Sequence, residues 1–155
     1  MTVAIRKIEP SDSRRVWGIR NHPAVRPFAR NSTEIGFDDH QSWFMKKYFS
    51  GLANHCFVIT VDDLVVGYCR FDVDNDHFFV SMALDPHYQG RGLGNTLLSD
   101  AFKKIGTDVV IEAEIKKDNI ASQKLFAKNN FKVFHEDDGY FYLRYSFDVQ
   151  SADHS

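Results

Sequence analysis

Three glycines at alternate positions, Gly90, Gly92 and Gly94, lie between an apolar run and a helical pattern. Glycine lets the backbone bend and keeps side chains away from a ligand, so consecutive N–H groups can point at one anion. The helix predicted over 93–105 adds the positive end of its dipole at the same place. The spacing therefore predicts an anion-binding loop that joins a strand, 77–84, to a helix.

Two acidic residues, Glu112 and Glu114, stand two positions apart in a β-branched run that is predicted as a strand over 108–115. Because alternate side chains of a strand point to the same side, both carboxylates would share one face of the sheet. A carboxylate partly removed from water in a crevice can accept a proton, directly or through water. The pattern predicts a general base at one of these positions, with solvated surface charges as the alternative.

Hydrophobic periodicity and turn residues predict the element order βααβββαβαββ. The predicted strands cover 2–8, 56–61, 64–72, 77–84, 108–115, 131–135 and 140–149. Asp38 is expected to cap the second helix, with Gln41 as its capping-box partner. A strand, a crossover helix and a further strand form a right-handed parallel unit. The predicted fold class is therefore α/β, a mixed α+β sheet that is mostly antiparallel with one central parallel pair.

The composition fits one domain over 1–149, followed by a frayed tail over 150–155. The net charge is -2, from 19 basic and 21 acidic residues, which gives no electrostatic reason to expect binding to nucleic acid or to a membrane. No apolar run approaches the roughly 18 residues of a spanning helix, and the N-terminus lacks the apolar core of a signal peptide. We expect a cytoplasmic protein.

The two cysteines, Cys56 and Cys69, fall in strands that are joined at Asp62 and Asp63. If those two residues form the whole turn, the cysteines stand opposite each other, and we expect reduced core thiols. The seven histidines include no pair at ligand spacing, so no metal site is expected.

The glycine segment Gln89-Gly90-Arg91-Gly92-Leu93-Gly94 resembles the Gln/Arg-x-x-Gly-x-Gly/Ala signature of the GNAT family of acetyl-CoA-dependent N-acetyltransferases. A dinucleotide loop would need its third glycine one position later, and a triphosphate loop would need Gly-Lys-Ser/Thr. Residues 119–131 resemble the family's second motif, Asn-x-x-(Ala/Ser)-x-x-Leu-Tyr-x-x-x-Gly-Phe. The resemblance covers nearly the whole chain and implies the GNAT fold, with helices on both faces of the sheet.

That resemblance implies how acetyl-CoA would bind. The glycine loop would hold the pyrophosphate, the N–H groups at the end of a bulged and splayed strand would pair with pantetheine and the thioester oxygen, and the last helix would face the pantetheine arm. The implied coenzyme-binding residues are Met82, Ala83, Leu84, Gln89, Gly90, Arg91, Gly92, Leu93, Gly94, Asn95, Asn119, Ser122 and Phe126. Asn119 alternatively serves only as a helix cap.

The family also suggests roles in direct transfer of acetyl to a primary amine within a ternary complex. Glu114 falls where the protein-alanine members carry their catalytic glutamate, and Glu112 remains the other candidate. The family's tyrosine acid corresponds to Phe126, which has no proton to give. Ser122 and Tyr140, or Tyr142 beside it, are the alternative donors, and a thiolate near a helix N-terminus can also leave unprotonated.

The acceptor is expected to contact the first two helices and the polar loop over 21–36. The candidate substrate-binding residues are Arg26, His40, Trp43, Tyr68 and Arg70, in a pattern weakly similar to the members that acetylate nucleotide-linked amino sugars. Arginines, including Arg30, could bind a diphosphate and an aromatic ring could stack on the ligand. Alternatives are acetylation of a protein N-terminus, such as that of a ribosomal protein, and a non-catalytic acyl-CoA-binding module. The aromatic final hairpin could pair between two copies of the chain.

Overall fold

The computed structural model describes residues 1–106 and 110–145. Within these residues the element order is the predicted one. The strands are β1 (Val3–Lys7), β2 (His55–Val61), β3 (Leu64–Asp74), β4 (His77–Leu84), β5 (Val110–Lys116), β6 (Phe131–Glu136) and β7 (Tyr140–Tyr145). The helices are α1 (Ser13–Asn21), α2 (Phe37–Phe49), α3 (Leu93–Ile105) and α4 (Ile120–Lys128). The predicted strand ends at 108–109 and 146–149, and the tail, lie outside the described residues.

The seven strands form one sheet in the order β1-β2-β3-β4-β5-β7-β6. β4 and β5 pair in parallel, and the other neighbours pair antiparallel. The prediction of a mostly antiparallel sheet with one central parallel pair is confirmed. Across residues 1–106 and 110–145, no helix is long and apolar enough to cross a bilayer.

Apolar side chains cover the sheet from both sides. Val16 and Ile19 of α1 and Phe44 of α2 pack on one face, whereas Leu97 of α3 and Phe126 of α4 pack on the other. Each helix buries its apolar stripe and leaves its polar side to water. The predicted placement of helices on both faces is therefore confirmed.

The parallel strands separate toward their carboxyl ends. β4 pairs with β5 only over His77–Phe79, opposite Val110–Glu112. Beyond Phe79, β4 continues along β3 and β5 continues along β7. This separation opens a crevice at the end of the sheet where ligands of such folds bind. The register of β4 on β3 is unbroken, so the bulge expected in β4 does not appear in this pairing.

A bulge occurs in β3 instead. Its extra residue, Val66, lies opposite the 59–60 step of β2 and shifts the register by one. As a result Cys56 pairs with Arg70, and the predicted opposition of Cys56 and Cys69 is wrong. Both cysteines are free and buried, in the clusters on opposite faces of the sheet.

The predicted cap of α2 is also wrong. The helix begins two residues earlier than that cap requires, at Phe37, with Gly36 in the N-cap position. The Gln41 side chain accepts a hydrogen bond from the Ser13 hydroxyl of α1 instead of turning back to its own helix end. The residue pattern that resembles a capping box therefore contributes a contact between α1 and α2.

Among the described glycines, Gly67 is the one where an added Cβ would meet the closest neighbours. A Cβ there would lie 2.4 Å from Leu84 Cδ2 and 3.0 Å from the Ala83 carbonyl oxygen. We expect Gly67→Ala to lower the free energy of unfolding by about 1–3 kcal/mol, the usual cost of overpacking. Gly18→Ala, in α1 with nothing within 4 Å, is the control and should be neutral or stabilising. Urea unfolding measures both, and equal stabilities would contradict the prediction.

Candidate active site

A cavity of about 480 Å³ lies where β4 and β5 separate. It is bounded by α1 and α2, by β3 and β4, and by residues 28–31 of the α1–α2 loop (22–36). Four of the five predicted substrate-binding residues line it: His40, Trp43, Tyr68 and Arg70. The fifth, Arg26, is placed elsewhere, with its guanidinium 3.2 Å from the Glu34 carboxylate. The structure thus brings most of the predicted acceptor residues together.

The α1–α2 loop is fixed at its base and at its far side. The Asn21 side chain donates to the Ile35 carbonyl at 2.6 Å and accepts from the Ile35 N–H at 3.0 Å, and the Trp17 indole donates to the same carbonyl at 2.7 Å. On the far side, the Lys116 ammonium donates to the Pro27 carbonyl at 2.7 Å. The loop therefore runs from α1 across the crevice to β5.

The two candidate bases have different surroundings. Glu112 is 8% exposed, accepts hydrogen bonds from Arg144 at 2.9 and 2.6 Å and lies 3.4 Å from the His77 ring. Glu114 lines the cavity, and its Oε1 accepts hydrogen bonds from Arg30 Nε, at 2.8 Å, and Arg30 Nη2. Of the two, Glu114 is the carboxylate placed to meet a ligand in the cavity.

Two tyrosines of β7 lie near Glu114. The Arg30 guanidinium stands 4.1 Å from the centre of the Tyr140 ring, and Tyr142 pairs directly with Glu114 across the strands. The Tyr142 hydroxyl donates to Asp137 at 2.6 Å, which raises the pKa of Tyr142 and lowers that of Asp137. Because the Tyr142 proton is already donated to Asp137, Tyr140 is the better placed of the two tyrosines to donate a proton to a ligand.

The Nε atom of Arg70 is buried and has no hydrogen-bond partner among the described residues. An Asp72 carboxylate oxygen lies 3.6 Å from it. Burial alone would lower the pKa of Arg70, but Tyr48 and Asp72 raise it, so the guanidinium stays charged. Its central carbon lies 5.1 Å from the Trp43 ring. Arg70 is therefore a cation available to an anionic ligand.

His40 adds a second buried nitrogen to the cavity. The residue is 2% exposed, and its Nε2 has no hydrogen-bond partner among the residues described. Burial lowers the pKa of His40, and Arg20 and Arg70 lower it further. At neutral pH the ring is thus uncharged, and a hydrogen bond to the Ser13 backbone engages the ring. Nε2 is then an acceptor for a hydroxyl or N–H group of a ligand.

The glycine loop has the geometry that a phosphate-binding loop needs. Gly90 and Gly92 have φ of +77° and +78°, and nothing lies within 4 Å of a Cβ added at either. Gly92 is the N-cap of α3. Gly94 serves close packing, since its added Cβ would lie 3.4 Å from Leu84 and 3.5 Å from Leu125. The first two glycines leave open space beside a helix N-terminus, which fits the pyrophosphate expected there.

The side chains around this loop brace it through hydrogen bonds to neighbouring groups. Gln89 donates to the Leu84 carbonyl at 3.4 Å, and Arg91 donates to the His87 carbonyl at 3.2 Å. Asn95 accepts from Asn129 at 3.0 Å, which ties α3 to α4. Leu93 is buried in the core. These predicted coenzyme residues surround the loop but are engaged in contacts of their own.

Asp85 anchors the end of β4 just before the loop. Its N–H donates to the carbonyl of Val66, the bulge residue, at 2.8 Å. Its carboxylate pairs with Arg15 of α1 and accepts from the His87 N–H at 2.9 Å. Although burial opposes it, these hydrogen bonds lower the pKa of Asp85 to about 2. The sequence showed only that Asp85 ends a strand; nothing local indicated its partner, 70 residues away.

On α4, Asn119 is the N-cap and accepts from the Ser122 N–H at 3.2 Å, as predicted for a cap. Ser122 lies in the first turn of the helix, half-buried. Phe126 is 3% exposed and packs edge-on against Phe131, with ring centres 5.0 Å apart. Its ring thus packs in the core.

The fold and site define a class of protein. The model of the acetyltransferase (GNAT) family matches residues 19–131. The chain belongs to this family, and the predicted enzyme class, an acetyl-CoA-dependent N-acetyltransferase, is confirmed. Among curated proteins it is similar to the acetyltransferase PseH of Campylobacter jejuni, with 25% identity over 127 residues that make up 80% of this chain and 79% of PseH.

Solved structures agree on the fold. The protein yncA from Salmonella typhimurium, with its cofactor acetyl-CoA, superimposes with a TM-score of 0.79 at 22% identity, covering 96% of this chain and 95% of that chain. The Campylobacter jejuni N-acetyltransferase PseH, in complex with acetyl coenzyme A, superimposes with a TM-score of 0.67 at 17% identity, covering 92% of this chain and 97% of that chain. At these identities the likeness concerns architecture.

A side chain at Gly92 is expected to weaken binding of acetyl-CoA. Gly92→Val would strain a left-handed backbone and place its methyl groups in the open space beside the N-terminus of α3. We expect the Kd for acetyl-CoA, measured by calorimetry, to rise about tenfold or more. Gly51→Val is the matched control, since Gly51 has φ of +87° and open space around it but follows α2. Equal losses of affinity in both variants would contradict a role for Gly92 at the coenzyme.

Proposed function

We propose that this protein transfers the acetyl group of acetyl-CoA to the primary amine of a small molecule, with a nucleotide-linked amino sugar as the first candidate. One observation carries the proposal. A single cavity at the separation of β4 and β5 joins Glu114 to the unpartnered nitrogens of Arg70 and His40. A proton acceptor, a cation for an anionic group and an acceptor for a hydroxyl group thus face the same space.

On the donor side, we assign the coenzyme to the crevice end of β4 and the glycine loop. Backbone N–H groups at Gly90 and Gly92 would hold the pyrophosphate, and those of 82–84 would hold pantetheine and the thioester oxygen. Asn119 and Ser122 would face the pantetheine arm. When bound, acetyl-CoA supplies an activated acyl group. The protein would hold the acetyl group beside the cavity and keep residues 82–84 of β4 in position to bind it.

On the acceptor side, an amine attacks only after losing the proton of its ammonium form. We assign that proton to Oε2 of Glu114, since Arg30 occupies Oε1. Glu112 is already held by Arg144 and is assigned a structural role. Ser122 and Tyr140 remain the proposed proton donors to the departing thiolate, because Phe126 has no acidic proton.

The walls of the cavity support an acceptor with a negative charge, hydroxyl groups and a flat ring. Arg70 can pair with a phosphate, and His40 Nε2 can accept from a sugar hydroxyl. Trp43 is 37% exposed, so part of its ring is free to stack on a base. Tyr68 is 7% exposed and would contribute mainly shape. These features favour a sugar nucleotide over a protein N-terminus.

The test is release of free coenzyme A thiol from acetyl-CoA with a panel of amines. The panel contains nucleotide-linked amino sugars, the free amino sugars, amino acids, polyamines and peptides with free N-termini. We expect the highest kcat/KM with the nucleotide-linked amino sugars. Turnover mainly on peptides would overturn the acceptor assignment, and tight coenzyme binding without turnover on any amine would overturn the catalytic assignment.

A cytoplasmic location and pairing of two copies of the chain remain predictions of the sequence.

A further inference from the structure

We propose that Arg30 is an anion receptor for the acceptor, held on Glu114 while the site is empty and transferred to the acceptor's anionic group when the acceptor binds. This exchange would free Glu114 at the moment when its base function is needed. The inference rests on the proposed function, in which Glu114 takes a proton from the amine.

The first support is a conflict in the empty site. Oε2 of Glu114 keeps a lone pair that can face the substrate, but Arg30 directs both Nε and Nη2 at Oε1 of the same carboxylate. Arginine remains protonated at every pH at which the enzyme would work. A proton that arrived at Glu114 would therefore break this ion pair. The conflict disappears if Arg30 leaves Glu114 before the proton is transferred.

The second support is that this ion pair is open to exchange. The side chains of Arg30 and Glu114 are 58% and 36% exposed, and ion pairs with that much contact with water add little stability. Arg30 comes from the α1–α2 loop, and residues 28–31 of that loop form a wall of the cavity. The Tyr140 ring supports the guanidinium from one side, at 4.1 Å, and can do so whichever anion the guanidinium pairs with.

The third support is the charge of the cavity wall. The wall contains three arginines, Arg20, Arg30 and Arg70, and two carboxylates, Asp72 and Glu114. Arg20 donates to the carbonyls of Asn31 and Thr33, and Arg70 has no hydrogen-bonded anion among the described residues. An incoming anion can therefore satisfy Arg70 and draw Arg30 toward itself. Glu114 is then the group that the anion displaces.

Binding of inorganic pyrophosphate, measured by calorimetry with coenzyme A saturating so that the glycine loop is occupied, tests the exchange without turnover. Because Glu114 competes for Arg30, we expect Glu114→Gln to bind pyrophosphate about five- to tenfold more tightly than the unaltered protein. Arg30→Ala should bind about tenfold more weakly or worse. Arg14→Ala, which removes an exposed arginine stacked on Phe37, should change the affinity less than twofold.

The double variant Arg30→Ala/Glu114→Gln separates exchange from a general effect of charge. Exchange predicts that Glu114→Gln gains less than twofold in affinity once Arg30 is absent. A gain that is equally large in both backgrounds, or no gain in either, would overturn the proposal. Protein that shows the coupling but acetylates no amine would instead overturn the proposed function, so the two failures are distinct.

Discussion

Glu114→Gln is expected to lower kcat for acetyl transfer about 100-fold at pH 7, within the usual range for loss of a general base. The amide cannot take a proton from the ammonium form of the acceptor. The deficit should shrink as the pH rises and the free amine form of the acceptor becomes abundant in solution. The measurement is kcat against pH from 6.5 to 10, followed by thiol release at saturating acceptor.

Glu112→Gln separates the two carboxylates of β5. It removes the charge that Arg144 and His77 contact at the start of the crevice, so the expected effect is a lower melting temperature. We expect kcat to stay within about threefold of the unaltered enzyme and its pH profile to keep its shape. A larger loss of kcat in Glu112→Gln than in Glu114→Gln would reverse the assignment.

Asp85→Asn is expected to lower the free energy of unfolding by roughly 2 kcal/mol at pH 7. The folded state lowers the pKa of Asp85 from 3.8 to about 2, and each unit corresponds to about 1.4 kcal/mol. Because the folded pKa is the lower one, this stabilisation is complete above pH 4 and is lost as the pH falls toward 2. The difference between the two proteins should therefore vanish at low pH.

Urea unfolding at several pH values between 2 and 7 measures this convergence. Asp74→Asn, which alters an exposed carboxylate at the end of β3, is the control and should shift stability by less than about 0.5 kcal/mol at any of them. A difference between Asp85→Asn and the unaltered protein that stays constant down to pH 2 would contradict ionisation of the Asp85 carboxylate, held by the His87 N–H and by Arg15, as its cause. Because Asp85 fixes the end of β4, we also expect weaker acetyl-CoA binding in this variant.

Local signals predicted the elements on either side of the glycine loop well. β4 and α3 have the predicted bounds, because Pro86, Gly92 and Gly106 end or begin elements through their own backbone preferences. The loop that we expect to bind the pyrophosphate lies between these elements. Such features depend on residues that are close in sequence, so one sequence alone is sufficient to predict them.

The features that the sequence did not predict depend on contacts between residues that are far apart in the chain. Arg30 and Glu114 are 84 residues apart, and no spacing rule links them. The bulge at Val66 depends on how β2, β3 and Asp85 meet, so a calculation from the turn alone placed Cys56 opposite the wrong residue. Tyr48, Asp72 and Ser81 of the cavity were missed for the same reason, since each has a plausible role in its own helix or strand.

The hydrogen bonds between Asn21 and Ile35 have a consequence for how acceptor specificity can change. They hold the two ends of the α1–α2 loop together. The entropic cost of closing the loop is therefore offset by contacts at its ends and not by the residues between them. Those intervening residues form the wall of the cavity that carries Arg30. We therefore expect that the residues between Asn21 and Ile35 can be replaced, in length as well as in sequence, to change the proposed acceptor preference without altering the half of the protein assigned to acetyl-CoA.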